Sequence, residues 1–155
     1  MSGFRSFMDA ALEEARAAGA RGEVPIGAVV VSPDGAVVAR AGNRTRELSD
    51  PTAHAEVLAL RAACAAAGSE RLPGHDLYVT LEPCPMCAAA ISFARVARLY
   101  YAAADPKSGG VAQGARVFSH PQCHHAPEIY DGIGGAEAET LLKDFFAARR
   151  GQDEV

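Results

Sequence analysis

Short β-branched runs alternate with alanine-rich, helix-forming stretches along this chain, and few folds accept that alternation. Phe4 to Ala18 carries apolar residues at helical spacing (Phe4, Phe7, Met8, Ala11, Leu12, Ala15), with Gly19 placed as a C-terminal stop. Ile26 to Val31 is a nearly continuous apolar run, Pro33-Asp34-Gly35 is a turn, and Ala36 to Ala41 completes a hairpin. Asp50-Pro51-Thr52 then precedes a helix over roughly Ala53 to Ala67. A buried strand is expected over Asp76 to Leu81, a helix from about Met86 to Arg95, and a strand from about Arg98 to Ala103. Asp105 to Pro127 reads as loop with one short helix, followed by a brief strand at Glu128 to Tyr130. Gly135 to Arg150 closes the order as a helix with Leu141, Leu142, Phe145 and Phe146 on one side. The order α-β-β-α-β-α-β-(α)-β-α predicts an α/β fold with one mixed five-stranded sheet, covered by helices on both faces.

Composition narrows the class further. A chain of 155 residues and 16.1 kDa buries a sufficient core without disulfide staples, and no repeat or low-complexity linker divides it. Residues 1–155 are therefore expected to form a single domain. With 49% hydrophobic and 22% charged residues the chain is not of the disordered type. Every apolar run is broken well short of the ~18–20 residues that a membrane span needs. Met1-Ser2-Gly3-Phe4-Arg5 does not open a secretory signal, so a cytoplasmic protein is expected, with its four cysteines as thiols or metal ligands. A net charge of −4 excludes a wholly basic nucleic-acid coat and leaves room for a local basic rim.

The chemistry concentrates in His54-Ala55-Glu56, Pro83-Cys84 and Cys87. Two cysteines separated by two residues at a helix start bring both sulfurs to one side, where unpaired amides and the positive helix end favour thiolates. His54 sits at the start of the preceding helix, so two helix N-termini can converge on one ion. One imidazole and two thiolates suit Zn²⁺ and leave the fourth tetrahedral position open to water. Two thiolates already offset the charge of the metal, so water there is acidified less than by a purely histidine-bound zinc. A neighbouring carboxylate, Glu56, supplies the missing base and then carries the proton onward. That equipment fits hydrolytic attack on an amidine-like carbon with ammonia leaving.

The H-x-E … P-C-x-x-C pattern is the established signature of zinc nucleobase deaminases. On it, the chain resembles the cytidine-deaminase-like superfamily and, more narrowly, the bacterial TadA-type tRNA adenosine deaminases. The likeness also covers Glu23-Val24-Pro25-Ile26-Gly27-Ala28, Gly42-Asn43-Arg44, Asp50-Pro51-Thr52, Tyr78-Val79-Thr80-Leu81-Glu82, Asp105-Pro106-Lys107-Ser108-Gly109, and Asp144-Phe145-Phe146 with Arg149-Arg150. The resemblance implies a three-layer α/β/α sandwich, a homodimer, one Zn²⁺ per subunit on His54, Cys84 and Cys87, and Glu56 as proton shuttle. It also implies that Asn43 hydrogen-bonds a flipped base in a pocket lined by Val24 and the backbone around Ala55. Asp105, Lys107 and Phe146 are then expected near flanking nucleotides of a tRNA anticodon stem-loop, whose wobble adenosine becomes inosine. The chain departs from relatives with lysine-rich tails by ending Gly151-Gln152-Asp153-Glu154-Val155, which leaves Arg44, Arg46, Arg149 and Arg150 to attract RNA.

Two other readings make distinct predictions. A free guanine or cytosine deaminase would use the same zinc chemistry on a smaller substrate. A non-catalytic, zinc-stapled RNA-binding module would need a fourth protein ligand from Cys123, His120, His124 or His125. For these residues loop packing or RNA contact is the favoured expectation, and Cys64 is expected as a small buried apolar residue. Ala88-Ala89-Ala90-Ile91 offers a small-residue helix face for intrachain packing or a dimer seam.

Overall fold

The computed structural model of the protein describes residues 6–153. Helix α1 spans Met8–Ala20, and strands β1 (Gly27–Val31) and β2 (Val37–Gly42) form the hairpin. Helix α2 (Ala55–Ala67) leads to β3 (Asp76–Leu81), α3 (Pro85–Phe93) and β4 (Arg98–Ala103). A 3₁₀ turn at Val117–Ser119, strand β5 (Glu128–Asp131) and helix α4 (Gly135–Asp153) complete the order. The sheet runs β2-β1-β3-β4-β5. β1 is antiparallel to β2 and β3, whereas β3, β4 and β5 are parallel, so the sheet is mixed as expected.

Alternation along the strands divides the core into two layers. Val29, Val31, Tyr78, Tyr100 and Ala102 face α1 and α4 and pack on Met8, Ala11, Leu12 and Ala138. Ala28, Val30, Leu77, Val79, Leu99 and Tyr101 face α2 and α3 and pack on Ala59, Leu60, Ala63, Ala88 and Ile91. Each fully buried leucine, isoleucine or methionine contributes roughly 1.5–3 kcal/mol over its exposed state. Tyr78, Tyr100 and Tyr130 stand in register on β3, β4 and β5 and stack with centroids 4.3 and 5.1 Å apart. The result is a three-layer α/β/α sandwich.

Several boundaries move for identifiable reasons. Phe4, expected to open α1, lies outside the described residues, as do Glu154 and Val155. Gly19 lies inside α1, which ends at Ala20, and Gly22 just beyond it, with a φ of +85°, supports a paired closing bond set. There the Glu23 N–H donates to the Ala18 carbonyl and the Gly22 N–H to the Gly19 carbonyl, both at 3.0 Å. The expected α2 start at Ala53 moves to Ala55, because His54 stays extended (ψ 151°) as the N-cap. Gly27 opens β1 directly under α1, and a Cβ there would lie 2.0 Å from the Ala11 carbonyl oxygen. Helix α4 does not bury its expected apolar side whole: Leu141 packs against the core, while Phe146 is 43% exposed.

Candidate active site

The parallel strand β3 ends at Leu81 and delivers Glu82-Pro83-Cys84 to the start of α3. Cys84 is the N-cap of α3 in extended conformation, and Pro85 occupies the first turn, where its missing N–H costs nothing. Cys87 follows within the same turn and is fully buried. His54 caps α2 without a side-chain capping bond, which leaves its imidazole free to turn toward the cysteines. Two helix N-termini, which favour negative charge, therefore meet at one point.

The His54 Nδ1 lies 3.4 Å from the Cys87 Sγ and 3.7 Å from the Cys84 Sγ. All three donor atoms lie within 4.8 Å of one another, and among the described residues they are the only such metal-ligating group. Tetrahedral zinc with ordinary bond lengths requires N···S of about 3.5 Å, so the donor set and both nitrogen–sulfur distances fit that ion. The Cys84 thiol is pulled down to about 4 by a hydrogen bond from Cys87, with a further bond to His54. Cys87 is pushed up by its bond to the Cys84 thiolate, by burial and by the charge of Glu56. His54 is raised through its bond to Cys84. A divalent cation bound there would displace the protons of these groups.

Glu56 occupies the first turn of α2 and is 4% exposed. Burial pushes its carboxyl above the ordinary value, while the neighbouring His54 pulls it back. A carboxyl of that kind, beside a metal site but outside its three donors, is suited to accept and return a proton.

A cleft of about 610 Å³ lies at the C-terminal end of β3. It brings together Val24, Asp105, Lys107 and Phe146, four of the six residues expected to contact substrate, although they span most of the chain. Ile26, Leu81, Ser108, Leu142 and Arg150 also line it. Sequence reasoning assigned no site role to Ile26, Leu81, Ser108 or Leu142, since nothing local marks an apolar strand end or helix residue as cleft-facing. The Asp105 carboxylate accepts the N–H groups of Lys107 and Ser108 at 3.1 and 3.0 Å, so one of its oxygens holds the turn. Asn43 and Ala55 are buried outside the lining of the cleft. Asn43 donates its backbone N–H to the Ile26 carbonyl, and its carboxamide makes no hydrogen bond to the described residues.

Of the four expected RNA-facing arginines, only Arg150 lines the cleft. Arg44 pairs with Glu47 at 2.7 Å, and Arg149 lies over the Phe145 ring at 4.9 Å. Cys123 and the histidines of the 120–125 loop complete no fourth ligand position. The Cys123 thiol and the Ser92 hydroxyl both donate to the His125 carbonyl. The rings of His125 and His120 bond the Val96 and Ala115 carbonyls. The Ser92 and His125 bonds tie the loop to α3 and to the turn after it, and the other two lie within the loop region. Cys64 is partly buried against the core. The alanine face on α3 splits: Ala88 and Ile91 point inward, whereas Ala89 and Ala90 lie toward the surface with exposed Met86 and Phe93.

Comparison with known proteins agrees with this geometry. Residues 1–103 match the family model for the cytidine and deoxycytidylate deaminase zinc-binding region. The chain is 63% identical to the tRNA-specific adenosine deaminase of Agrobacterium fabrum over 147 residues, 95% of this chain and 96% of that one. Its fold matches a structure from biochemical and structural studies of A-to-I editing by tRNA:A34 deaminases at the wobble position of transfer RNA. That match has a TM-score of 0.86 and 65% identity, covering 88% of this chain and 98% of the other. The guanine deaminase of Nitrosomonas europaea is similar at TM-score 0.78 and 26% identity, covering 90% of this chain and 82% of the other. With its histidine, two cysteines and adjacent glutamate held at two helix starts, the chain belongs to the cytidine and deoxycytidylate deaminase zinc-binding family.

Proposed function

We propose that this protein is a zinc-dependent hydrolase that converts adenosine to inosine at the wobble position of tRNA, releasing ammonia. The observation that carries the reading is the three-donor site of His54, Cys84 and Cys87 with buried Glu56 beside it. When bound there, zinc supplies a Lewis acid and lowers the pKa of water. Glu56 takes the proton from the water that attacks C6 of adenine. It delivers that proton to N1 and passes the next to the amino group, which leaves as ammonia. Water adds one oxygen and the base loses one nitrogen, so the reaction needs no other reactant.

Asn43, with its carboxamide unspent among the described residues, is assigned to hydrogen-bond the flipped base, and Val24 and the backbone at Ala55 to enclose it. Asp105, Lys107, Phe146 and Arg150 are assigned to the flanking nucleotides of the anticodon stem-loop, Phe146 by stacking and the cations by phosphate contact. A wide cleft edged by Lys107 and Arg150 suits a polyanion better than a free base. One continuous sheet with helices on both faces supports a single domain. The chain acts as a homodimer through the outer face of α3, where half-buried Ala89 and Ala90 lie between exposed Met86 and Phe93, the latter 79% exposed. No helix among the described residues is long and apolar enough to cross a membrane. A tRNA substrate supports a cytoplasmic location.

Incubating zinc-loaded protein with an adenosine-bearing anticodon stem-loop, guanine and cytosine in separate reactions tests the reading. Inosine at the first anticodon position is the expected product. Turnover of guanine or cytosine with an inert stem-loop would overturn it.

A further inference from the structure

Glu82 stands between the end of β3 and the metal turn, 2% exposed, and pairs with no cation among the described residues. Its carboxylate is spent on main chain. Oε1 accepts the Asp105 N–H at 3.1 Å, and Oε2 accepts the N–H groups of Val111, Ala112 and Gln113 at 3.1, 3.0 and 3.0 Å. Four charge-assisted bonds thus converge on one buried anion, which fixes both ends of the 105–113 segment.

That segment touches two functional regions. Its first part puts Asp105, Lys107 and Ser108 on the cleft wall. Its later part rests on the metal turn, where the Gly110 N–H donates to the Pro83 carbonyl at 2.8 Å. The approach is close: a Cβ on Gly110 would lie 2.6 Å from the Pro85 nitrogen and 2.9 Å from the Cys84 carbonyl carbon. A Cβ on Gly109 would lie 2.6 Å from the Glu82 carboxylate. The two glycines let the segment lie flat between anion and turn.

We infer that Glu82 is a positioning residue for substrate, its buried carboxylate holding the 105–113 segment so that Asp105 and Lys107 stand at a set distance from the metal turn. The inference rests on the proposed tRNA reading for the identity of that substrate. A carboxylate is needed because it accepts at every lone pair, whereas a carboxamide presents an NH₂ at one end. If glutamine kept its oxygen toward Val111, Ala112 and Gln113, the NH₂ would confront the Asp105 N–H and release the cleft-wall end.

The test compares wild type, Glu82→Gln and Glu82→Asp as full-length, zinc-loaded proteins. It measures kcat and KM on the anticodon stem-loop, zinc content, and amide hydrogen exchange. For Glu82→Gln the expected result is unchanged zinc content, KM raised about tenfold or more, and kcat within about threefold. Exchange should quicken at residues 105 and 111–113, and Glu82→Asp should recover most of the loss in KM. A merely structural role would lower the yield of folded protein and leave KM of the folded fraction unmoved. KM within about twofold of wild type, a loss confined to kcat, unchanged exchange at those amides, or failure of both variants to fold would each overturn the inference. If wild type leaves the stem-loop unconverted, the proposed function fails instead, and the hold of Glu82 on the segment stands or falls on the exchange data.

Discussion

Replacing Glu56 with glutamine separates proton transfer from metal binding more cleanly than any other change. The amide keeps the side-chain volume at a 4% exposed position, so no cavity opens and α2 keeps its first turn. The three donor atoms belong to His54, Cys84 and Cys87, so zinc content should stay at the wild-type value. The other acceptors of the site, among the described residues, are already engaged. The imidazole and both sulfurs are committed to the metal, Glu82 accepts four backbone donors, and one Asp105 oxygen holds its own turn. One positioned proton transfer is worth roughly 10²–10⁴-fold. Because Glu56 serves more than one transfer, a loss of at least about 10³ is expected, close to 4 kcal/mol at about 1.36 kcal/mol per tenfold. Binding of the stem-loop should change little, since the missing interaction acts only in the transition state. Single-turnover reactions, read as inosine after nuclease digestion, give the rate, and fluorescence anisotropy gives the affinity. A folded, zinc-replete Glu56→Gln protein that deaminates within about tenfold of wild type would refute the shuttle.

Three further outcomes follow from the same geometry. Chelation of zinc should abolish deamination and lower Tm on the order of 10 °C, because an ion at about 1,000 times its Kd stabilises the fold by about 4 kcal/mol. An unchanged melting curve after complete metal removal would contradict a metal that ties the start of α2 to the start of α3. Phe93→Asp puts a charge on the outer face of α3 and should yield monomers by light scattering with the fold intact by circular dichroism. Gly27→Ala should cost at least about 1–3 kcal/mol in chemical denaturation, since its Cβ meets the Ala11 carbonyl oxygen at 2.0 Å and α1 must lift.

What the sequence disclosed depended on the range over which each signal acts. Strands β3 and β4 lie where their apolar runs predicted, at Asp76–Leu81 and Arg98–Ala103, because neighbours cover both faces and turn residues bound each run. The stop of α1 was ambiguous, since Gly19 and Gly22 stand three residues apart and only the backbone shows that Gly22 takes the left-handed turn. The alanine-rich opening of α2 hid the extended state of His54, which helix propensity disfavours and ligand orientation requires. The metal donors were legible because their spacing within two helix starts is itself the chemistry. The cleft was less so: Val24, Leu81, Asp105 and Phe146 share a wall only after a strand edge, a loop and the last helix have packed together.

Glu82 shows why a local reading stops there. A glutamate between a buried strand and a proline looks like the ordinary polar end of a strand, and its spacing from Cys84 matches no metal or acid–base pattern. Its partners are main-chain N–H groups 23 to 31 residues away, and any residue but proline could supply those donors. Side-chain identity therefore cannot encode the pairing. The sequence clues are the two adjacent glycines, Gly109 and Gly110, in a loop otherwise rich in turn formers, where a side chain would strike the carboxylate or the metal turn. A metal centre can be recognised from its ligands, while the distance between that centre and its substrate is set by backbone that any sequence of similar shape would share.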